Sequence, residues 1–250
     1  MLRSGTAVGR AICLSTVTGA LESRLSPRYD QGMESSHALP GIYRLRIVLR
    51  DISPLIWRRL LIRSDTTLAQ LHAILQLLFD WSGEHLHTFH IYGKDYGSTG
   101  ADTQSVRLHA LHLHPGERFR YVYDLGACWQ CDIRLEARLP VETTRVYPVC
   151  IGGKGAAPPE HCRSPWAYME MLDAHRSPPL DAMWVAAEAV RAVLETEPHR
   201  SIREAIGDME ALREAVDCLK DYQEFQPDHL NRQRINAQLC SRAQGIGGAL

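Results

Sequence analysis

Residues 121–162 read YVYDLGACWQCDIRLEARLPVETTRVYPVCIGGKGAAPPEHC, and this stretch decides the fold. It brings aromatic residues, turn-forming glycines and prolines, and four of the seven cysteines of the chain into one short window. Apolar and polar residues alternate around it, which predicts strands at 119–124 and 133–139. The window therefore predicts two strands joined by a tight turn, with a group of thiols beside them.

Two more strands are predicted upstream, at 42–51 and 56–63. In the first, leucine and isoleucine alternate with arginine and valine, so that one face would pack on a core and the other would face solvent. The Ser53-Pro54 step interrupts the alternation between them. So short a gap predicts an antiparallel hairpin.

A helix is predicted to follow this hairpin, because Thr67 and Gln70 have the Thr-x-x-Gln spacing of a capping box. Leucines three or four residues apart then form a stripe that must cover a sheet. They are Leu68, Leu71, Leu75 and Leu78. With a third strand at 87–92, we predict an α+β fold: a mixed β-sheet with a β-grasp-like strand–strand–helix–strand core and a helical C-terminal extension.

The predicted organisation has three parts. Residues 1–40 are expected to be a disordered leader, or to precede the true start of the protein. Residues 41–175 make the α+β domain, and residues 176–250 make a helical extension with a frayed tail. After a short helix at 166–174, the extension is predicted to contain helices at 180–195, 202–222 and 229–242.

Charge and hydropathy exclude several classes of protein. The formal net charge is −1, so the whole molecule has no general attraction to nucleic acid or to an anionic membrane, and any basic surface must be local. The sequence has no run of 18 uninterrupted apolar residues, which argues against a membrane span. An odd number of cysteines without a regular framework favours the reducing cytoplasm.

Short ordered motifs run through the chain from Tyr43 to Glu160. They are Pro54-x-x-Trp57-Arg58-Arg59, Thr67-Leu68-x-x-Leu71-His72, Trp81, His85-Leu86-x-x-Phe89, Tyr121-x-Tyr123-Asp124-x-Gly126, Trp129, Tyr147-Pro148-x-Cys150 and Pro158-Pro159-Glu160. This series resembles the plasmid pRi open-reading-frame-three-like family, which includes insertion-element passenger proteins of the TnpR type. The resemblance implies an α+β domain found on bacterial chromosomes, plasmids and mobile elements. It brings no established reaction.

The resemblance also implies a set of signature residues with structural roles. They are Trp57, Arg58, Asp124, Gly126, Trp129, Pro158 and Pro159. The chain departs from the family after the Tyr-Asp-x-Gly turn, where Ala127 and Cys128 replace the usual acidic residues and Gln130 and Cys131 follow the tryptophan. His161 also replaces the usual acidic residue after Pro-Pro-Glu. A family site built on those acidic groups would be altered or lost here.

The four cysteines of the window could form a metal site. Cys128 and Cys131 have the short spacing of a zinc knuckle, and Cys150 and Cys162 could supply two more ligands. Against this, eleven residues separate Cys150 from Cys162, and side chains three apart on a strand point to opposite faces. Ordinary buried or idle thiols are the favoured interpretation; structural zinc and a redox pair are the alternatives.

The predicted hairpin is rich in arginine, and an arginine-bearing β-ribbon can bind phosphates. The candidates for nucleic-acid contact are Arg44, Arg46, Arg50, Arg59 and Arg63. The simpler interpretation is that they form the solvated face of an amphipathic hairpin. Arg58 differs, because it shares a strand face with Leu60 and is expected to be half-buried beside a carboxylate. Asp124 is the predicted partner.

No catalytic template fits the chain. It lacks a nucleophile elbow, a zinc-protease helix motif and the spacing of a phosphate-binding loop. We therefore expect a non-enzymatic binding or accessory protein of plasmid or mobile-element origin, with nucleic acid or a protein as partner and no cofactor. The alternative is a metal- or thiol-dependent enzyme centred on the four cysteines, with zinc bound.

Overall fold

The computed structural model describes residues 41–197 and 199–246. The predicted leader lies outside the described residues. The strands are β1 (Ile42–Leu49), β2 (Trp57–Arg63), β3 (His87–Ile91), β4 (Lys94–Gly97), β5 (Arg118–Tyr123), β6 (Trp129–Leu139) and β7 (Val149–Lys154). The helices are α1 (Leu68–Phe79), α2 (Pro165–His175), α3 (Leu180–Leu194), α4 (Ile202–Ile206), α5 (Met209–Glu224) and α6 (Arg232–Ile246), with a short 3₁₀ turn at Leu108–Leu111.

The seven strands form one sheet in the order β4-β3-β5-β6-β1-β2-β7. The predicted hairpin is confirmed, since β1 and β2 pair antiparallel. All other paired neighbours are antiparallel too, rather than mixed as expected. The reason is that β2 and β3, which the α1 connection leaves running in the same direction, are separated in the sheet by β1, β6 and β5. The α+β class with a helical C-terminal region is confirmed.

Helix α1 covers one face of the sheet, as its leucine stripe predicts. Its capping box is formed: Thr67 Oγ1 accepts from the Gln70 amide, and Gln70 Oε1 accepts from the Thr67 amide. The stripe is buried against the inward residues of β1. The buried side chains of the two elements are Leu68, Leu71, Leu75, Leu78, Leu45, Ile47 and Leu49. Full burial of each contributes about 1.5–3 kcal/mol to folding.

The signature turn between β5 and β6 depends on Asp124. Its backbone has a φ of 51°, and its Oδ1 accepts from the amides of Gly126 and Ala127 at 3.0 and 3.2 Å. Aspartate tolerates this left-handed conformation because its short side chain bonds the backbone two residues on. Trp129 follows the turn and is fully buried in the core. Asp124 and Gly126 therefore have a turn-forming role.

The C-terminal region differs from the predicted helices in one place. The helix expected at 202–222 is two helices, α4 and α5. Gly207, with a φ of 74°, ends the first, and the Asp208 carboxylate caps the second by accepting from two amides. The left-handed backbone at Gly207 favours glycine, and a side chain acceptor at the next position restarts the helix.

Helix α6 lies along the outer edge of β7. The Asn236 amide group accepts from Cys150 N at 2.8 Å and donates to Cys150 O at 3.0 Å. Arg232 donates to the carbonyl of Ile151 at 3.1 Å. Leu239 of the same helix is fully buried in the core. The last described helix is thus bound to the sheet by side-chain hydrogen bonds to the backbone of β7 and by apolar packing.

Candidate functional site

Four arginines lie in a line across the face of the sheet that α1 does not cover. The strand registers place Arg118 opposite Arg134, Arg134 opposite Arg46, and Arg46 opposite Arg59. Neighbouring strands are about 4.8 Å apart, so the line spans about 14 Å. We call these four residues the arginine row. Two of them, Arg118 and Arg134, were not among the residues predicted from the sequence.

More guanidinium groups flank the row, and carboxylates neutralise part of the charge. The flanking arginines are Arg44, Arg50 and Arg120. Strands β1, β2, β5 and β6 contain two carboxylates. Glu136 bonds Arg59 at 2.7 and 2.8 Å and lies 3.1 Å from Arg44, while Asp132 lies 3.8 Å from Arg50 and from Arg120. This face keeps an excess of positive charge on a nearly neutral protein.

Trp57 lies among the guanidinium groups. Arg46 and Arg59 stack over its ring, at 5.1 and 5.4 Å from the ring centroid. Each contact adds about 0.5–1 kcal/mol at an exposed site and holds the arginine in one orientation. Arg46 Nε has no hydrogen-bond partner among the described residues. Because this atom is buried, only the terminal guanidinium nitrogens of Arg46 could contact a ligand.

The hydrogen bond from Arg59 lowers the pKa of Glu136, and the nearby charge of Arg44 acts in the same direction. Glu136 is thus fully ionised at neutral pH and binds two of the guanidinium groups. Glu136 therefore neutralises part of the positive charge of the arginine row and holds the Arg59 side chain in place.

The predicted basic residues do not all belong to this face. Arg44, Arg46, Arg50 and Arg59 lie on it, but Arg63 does not contribute. Arg63 forms two hydrogen bonds to the Asp65 carboxylate, at 3.0 and 2.9 Å, and these bonds lower the pKa of Asp65. It lines a cavity of about 410 Å³ beside α6 at the end of β2.

The structure corrects the predicted partner of Arg58. Its side chain is 1% exposed, so it is more deeply buried than expected, but Asp124 does not contact it. Instead Arg58 donates to three backbone carbonyls, those of Leu78 at 3.1 Å, Trp57 at 2.9 Å and Lys154 at 3.0 Å. The Leu78 carbonyl belongs to the last turn of α1, where the helix dipole favours a cation.

Burial lowers the pKa of Arg58 to about 10, which still leaves the guanidinium charged at neutral pH. It also stacks over the Phe79 ring, at 5.3 Å from the centroid. Arg58 thereby fixes the C-terminal end of α1 to strands β2 and β7. Its role in the Trp-Arg-Arg motif is in the core, and its neighbour Arg59 belongs to the outer face.

The four cysteines of the sequence window occupy different environments. Cys128 is exposed in the turn, while Cys131, Cys150 and Cys162 are buried. Among the described residues, no three His, Cys, Asp or Glu side chains are grouped so that they could hold a metal ion. Burial raises the pKa of the Cys131, Cys150 and Cys162 thiols, which disfavours the thiolate form that binds metal.

We expect a chelator to leave the melting temperature of the purified protein unchanged, because the buried thiols keep their protons. Mass spectrometry of the native protein should show less than one zinc ion per chain. Stoichiometric zinc that is lost in the Cys131→Ser variant would contradict this expectation and favour the metal-dependent alternative.

A cluster of two half-buried imidazoles and a buried phenol lies between α1 and the sheet. The rings of His72 and His87 stack with centroids 3.6 Å apart. The hydroxyl of Tyr121 lies 2.7 Å from His72 Nδ1 and accepts from Gln76 Nε2 at 2.7 Å. Burial, then the charge of His87, lowers the pKa of His72 to about 4, and burial lowers the pKa of His87. The sequence motifs include these residues but do not show that they meet.

The Pro-Pro-Glu signature has a similar anchoring role. Glu160 accepts from the Tyr123 hydroxyl at 2.6 Å and from the amide and hydroxyl of Ser82. The Glu160 carboxylate, which follows Pro158 and Pro159, thus contacts the loop that follows α1. His85 lies nearby, with Nε2 4.0 Å from Asp124. Most family motifs therefore connect α1, its following loop and β5.

The comparisons with known proteins agree with this architecture. The fold is an α+β domain whose shared motifs stabilise one helix on an antiparallel sheet. The sequence profile of the plasmid pRiA4b ORF-3-like proteins matches residues 41–233, the greater part of the chain. The chain belongs to this family, which confirms the resemblance drawn from the motifs.

Two relatives illustrate the family. The uncharacterized protein y4hQ of Sinorhizobium fredii is 29% identical over 146 residues, which cover 55% of this chain and 75% of that protein. The crystal structure of MM3350, a protein of unknown function from Methanosarcina mazei Go1, is 27% identical with a TM-score of 0.56. That match covers 78% of this chain and 97% of the other. No helix in the described part of the chain is long and apolar enough to cross a membrane.

Proposed function

We propose that this protein is a non-enzymatic accessory protein of plasmid or mobile-element origin that acts in the cytoplasm and binds nucleic acid on the arginine row. The observation that carries the proposal is the alignment of Arg118, Arg134, Arg46 and Arg59 across four strands. Phosphate contacts from arginine provide most of the affinity in sequence-independent binding. A row of about 14 Å is long enough to contact several successive phosphates of one strand.

The surroundings of the row suit this partner. The open face of a sheet is a common platform for single-stranded nucleic acid, where basic groups follow the backbone and aromatic rings lie against bases. Trp57 provides such a ring beside Arg46 and Arg59. The side chains that we describe on this face suit contacts with phosphates more than with the edges of particular bases, so we expect binding with little sequence preference. The plasmid family to which the chain belongs adds support.

Binding is tested by fluorescence anisotropy with single-stranded and double-stranded oligonucleotides at low and moderate salt. We expect the single-stranded probe to bind more tightly, with affinity that falls as salt rises. The double variant Arg46→Ala/Arg134→Ala should weaken binding at low salt by about 10- to 100-fold and reduce the salt slope by about 2. The loss follows because two phosphate contacts disappear from the middle of the row.

The matched control is Arg203→Ala/Arg213→Ala, which removes the same charge from α4 and α5. It should bind like the unchanged protein. Equal losses in both variants would show a nonspecific charge effect and would contradict the proposal. Absence of binding at low salt would also contradict it, and would make a protein the partner to test next.

A second variant should strengthen binding. Glu136→Gln removes the carboxylate that holds Arg44 and Arg59, while the amide keeps hydrogen-bonding capacity. We expect an affinity several-fold higher at low salt and a steeper salt dependence, because two guanidinium groups become available to phosphates. Unchanged anisotropy curves would show that the nucleic acid does not contact this part of the sheet.

A further inference from the structure

Helix α3 has two apolar faces, and described residues cover one of them. The covered face packs on α4 and α5, with Ala189 buried and Ala186 and Val193 half-buried. The second face is exposed. It consists of Leu180, Met183, Ala187, Val190 and Leu194. We call these five residues the α3 seam.

The seam has the spacing of a helix-pairing surface. Its members follow one another by three, four, three and four residues, which is the a/d pattern of a coiled coil. At 3.6 residues per turn they lie within about 80° of the helix circumference. Leu180 and Leu194, at its two ends, are 67% and 80% exposed. Such a continuous apolar strip on a helix marks a surface that packs against another helix.

The seam is nearly symmetric about its centre. Ala187 lies seven residues from Leu180 and seven from Leu194, and the remaining two members lie four residues before it and three after it. A two-fold axis through Ala187 would therefore place Leu180 of one copy against Leu194 of the other. The small side chain at the centre would let the two helices approach closely. This symmetry favours a second copy of the chain over an unrelated helix.

The surroundings of the seam fit the same arrangement. A groove of about 310 Å³, lined entirely by apolar side chains, lies beside Val190 and Leu194 and between α3, α4 and α5. Leu180 of the second copy would lie at the mouth of this groove. The same axis brings Trp184, 68% exposed, next to Arg191 of the second copy. A guanidinium over an indole ring is a favourable cation–π contact, and Arg191 can make it while it keeps its ion pairs with Glu188 and Glu195.

We propose that the protein forms a two-fold symmetric dimer in which α3 packs antiparallel against α3 of a second copy, with the axis at Ala187. The proposal is independent of nucleic-acid binding. Two α3–α5 pairs would together make a four-helix arrangement, which buries apolar surface that each pair alone exposes. A single helix pair is a small interface, so we expect a reversible dimer with a dissociation constant on the order of micromolar.

The oligomeric state of the full chain tests the proposal. Sedimentation equilibrium over a hundredfold range of concentration should show a shift from the monomer mass to twice that mass. Ala187→Arg places a charge on the axis at an exposed position, and should shift dimerisation to at least tenfold higher concentration. Gln223→Arg makes the same charge change at an exposed position of α5 and should dimerise like the unchanged protein.

Cross-linking tests the register. In the Ala187→Cys variant the two new thiols face each other at the axis, within the Cα separation that a disulfide requires. Mild oxidation should give a dimer whose linked peptides both contain position 187, and Gln223→Cys should give no such link at 223. A monomer at every concentration, a dimer unaffected by Ala187→Arg, or a dimer without the 187–187 link would each overturn the proposal.

Discussion

Replacing Arg58 by methionine is expected to lower the free energy of unfolding by about 3–5 kcal/mol, because each acceptor left without its donor costs about 1–3 kcal/mol. Methionine has a similar reach but no donors, so the buried hydrogen bond to the Leu78 carbonyl and the partly buried ones to Trp57 and Lys154 would be lost. The Phe79 ring would also lose its cation. Urea denaturation followed by tryptophan fluorescence measures the change.

Two controls separate the buried contacts from a general effect of charge. Arg58→Lys keeps the charge but offers a single donor group, so it should be destabilised less than the methionine variant. Arg50→Met removes an arginine whose side chain is 36% exposed and should cost less than about 1 kcal/mol. A methionine variant at position 58 as stable as the one at position 50 would show that the three carbonyls are satisfied without the guanidinium.

Lowering the pH from about 6.5 to 4 is expected to destabilise the fold through His72. The pKa of His72 is lowered to about 4 by burial, by His87 and by Arg242. In this window the unfolded chain binds a proton that the folded chain does not, so stability rises with pH and is lost as pH falls. Because the ring is partly solvated, we expect a loss of about 1–2 kcal/mol from this group.

Comparison with His72→Gln isolates this effect from the carboxylates that titrate in the same range. Glutamine can still donate to the Tyr121 hydroxyl, and it does not ionise. Its free energy of unfolding should therefore fall less steeply between pH 6.5 and 4 than that of the unchanged protein. Parallel curves would show that His72 is equally easy to protonate in the folded and unfolded chains.

Local patterns in the sequence were sufficient to predict the first half of the fold. The alternation in β1, the Ser53-Pro54 break and the Thr67 capping box each depend on residues close in sequence, and the structure confirms the hairpin and the helix. The edge strands were missed for a physical reason. Strand β4 is only four residues long, and β7 contains Gly152 and Gly153, which lack the side chains that identify a strand.

The glycine at 153 is required by packing rather than by a ligand. A Cβ there would lie 2.6 Å from Leu230 and 2.7 Å from the Trp57 carbonyl. Gly153 thus allows a close contact between β7, β2 and the segment before α6. Sequence alone does not contain this information, because Leu230 is far away along the chain.

The candidate site could be predicted only in part for a related reason. The hairpin arginines follow from alternation, but the arginine row also needs Arg134, which pairs with Arg46 across a sequence separation of almost ninety residues. That register is set by packing of the whole sheet. The partner of Arg58 was mistaken because a buried cation suggests a carboxylate, whereas backbone carbonyls satisfy it here. Backbone acceptors leave no trace in a sequence.

The attachment of α6 to β7 affects the tendency of the protein to aggregate. An exposed edge strand presents unpaired amides and carbonyls that can pair with any extended chain, and such pairing leads to aggregation. Asn236 and Arg232 occupy such groups on Cys150 and Ile151. At the opposite edge of the sheet, β4 has only four residues, so it offers few backbone groups to a strand of another molecule. A truncation that removes α6 would expose the edge of β7 and favour edge-to-edge pairing of sheets from different molecules.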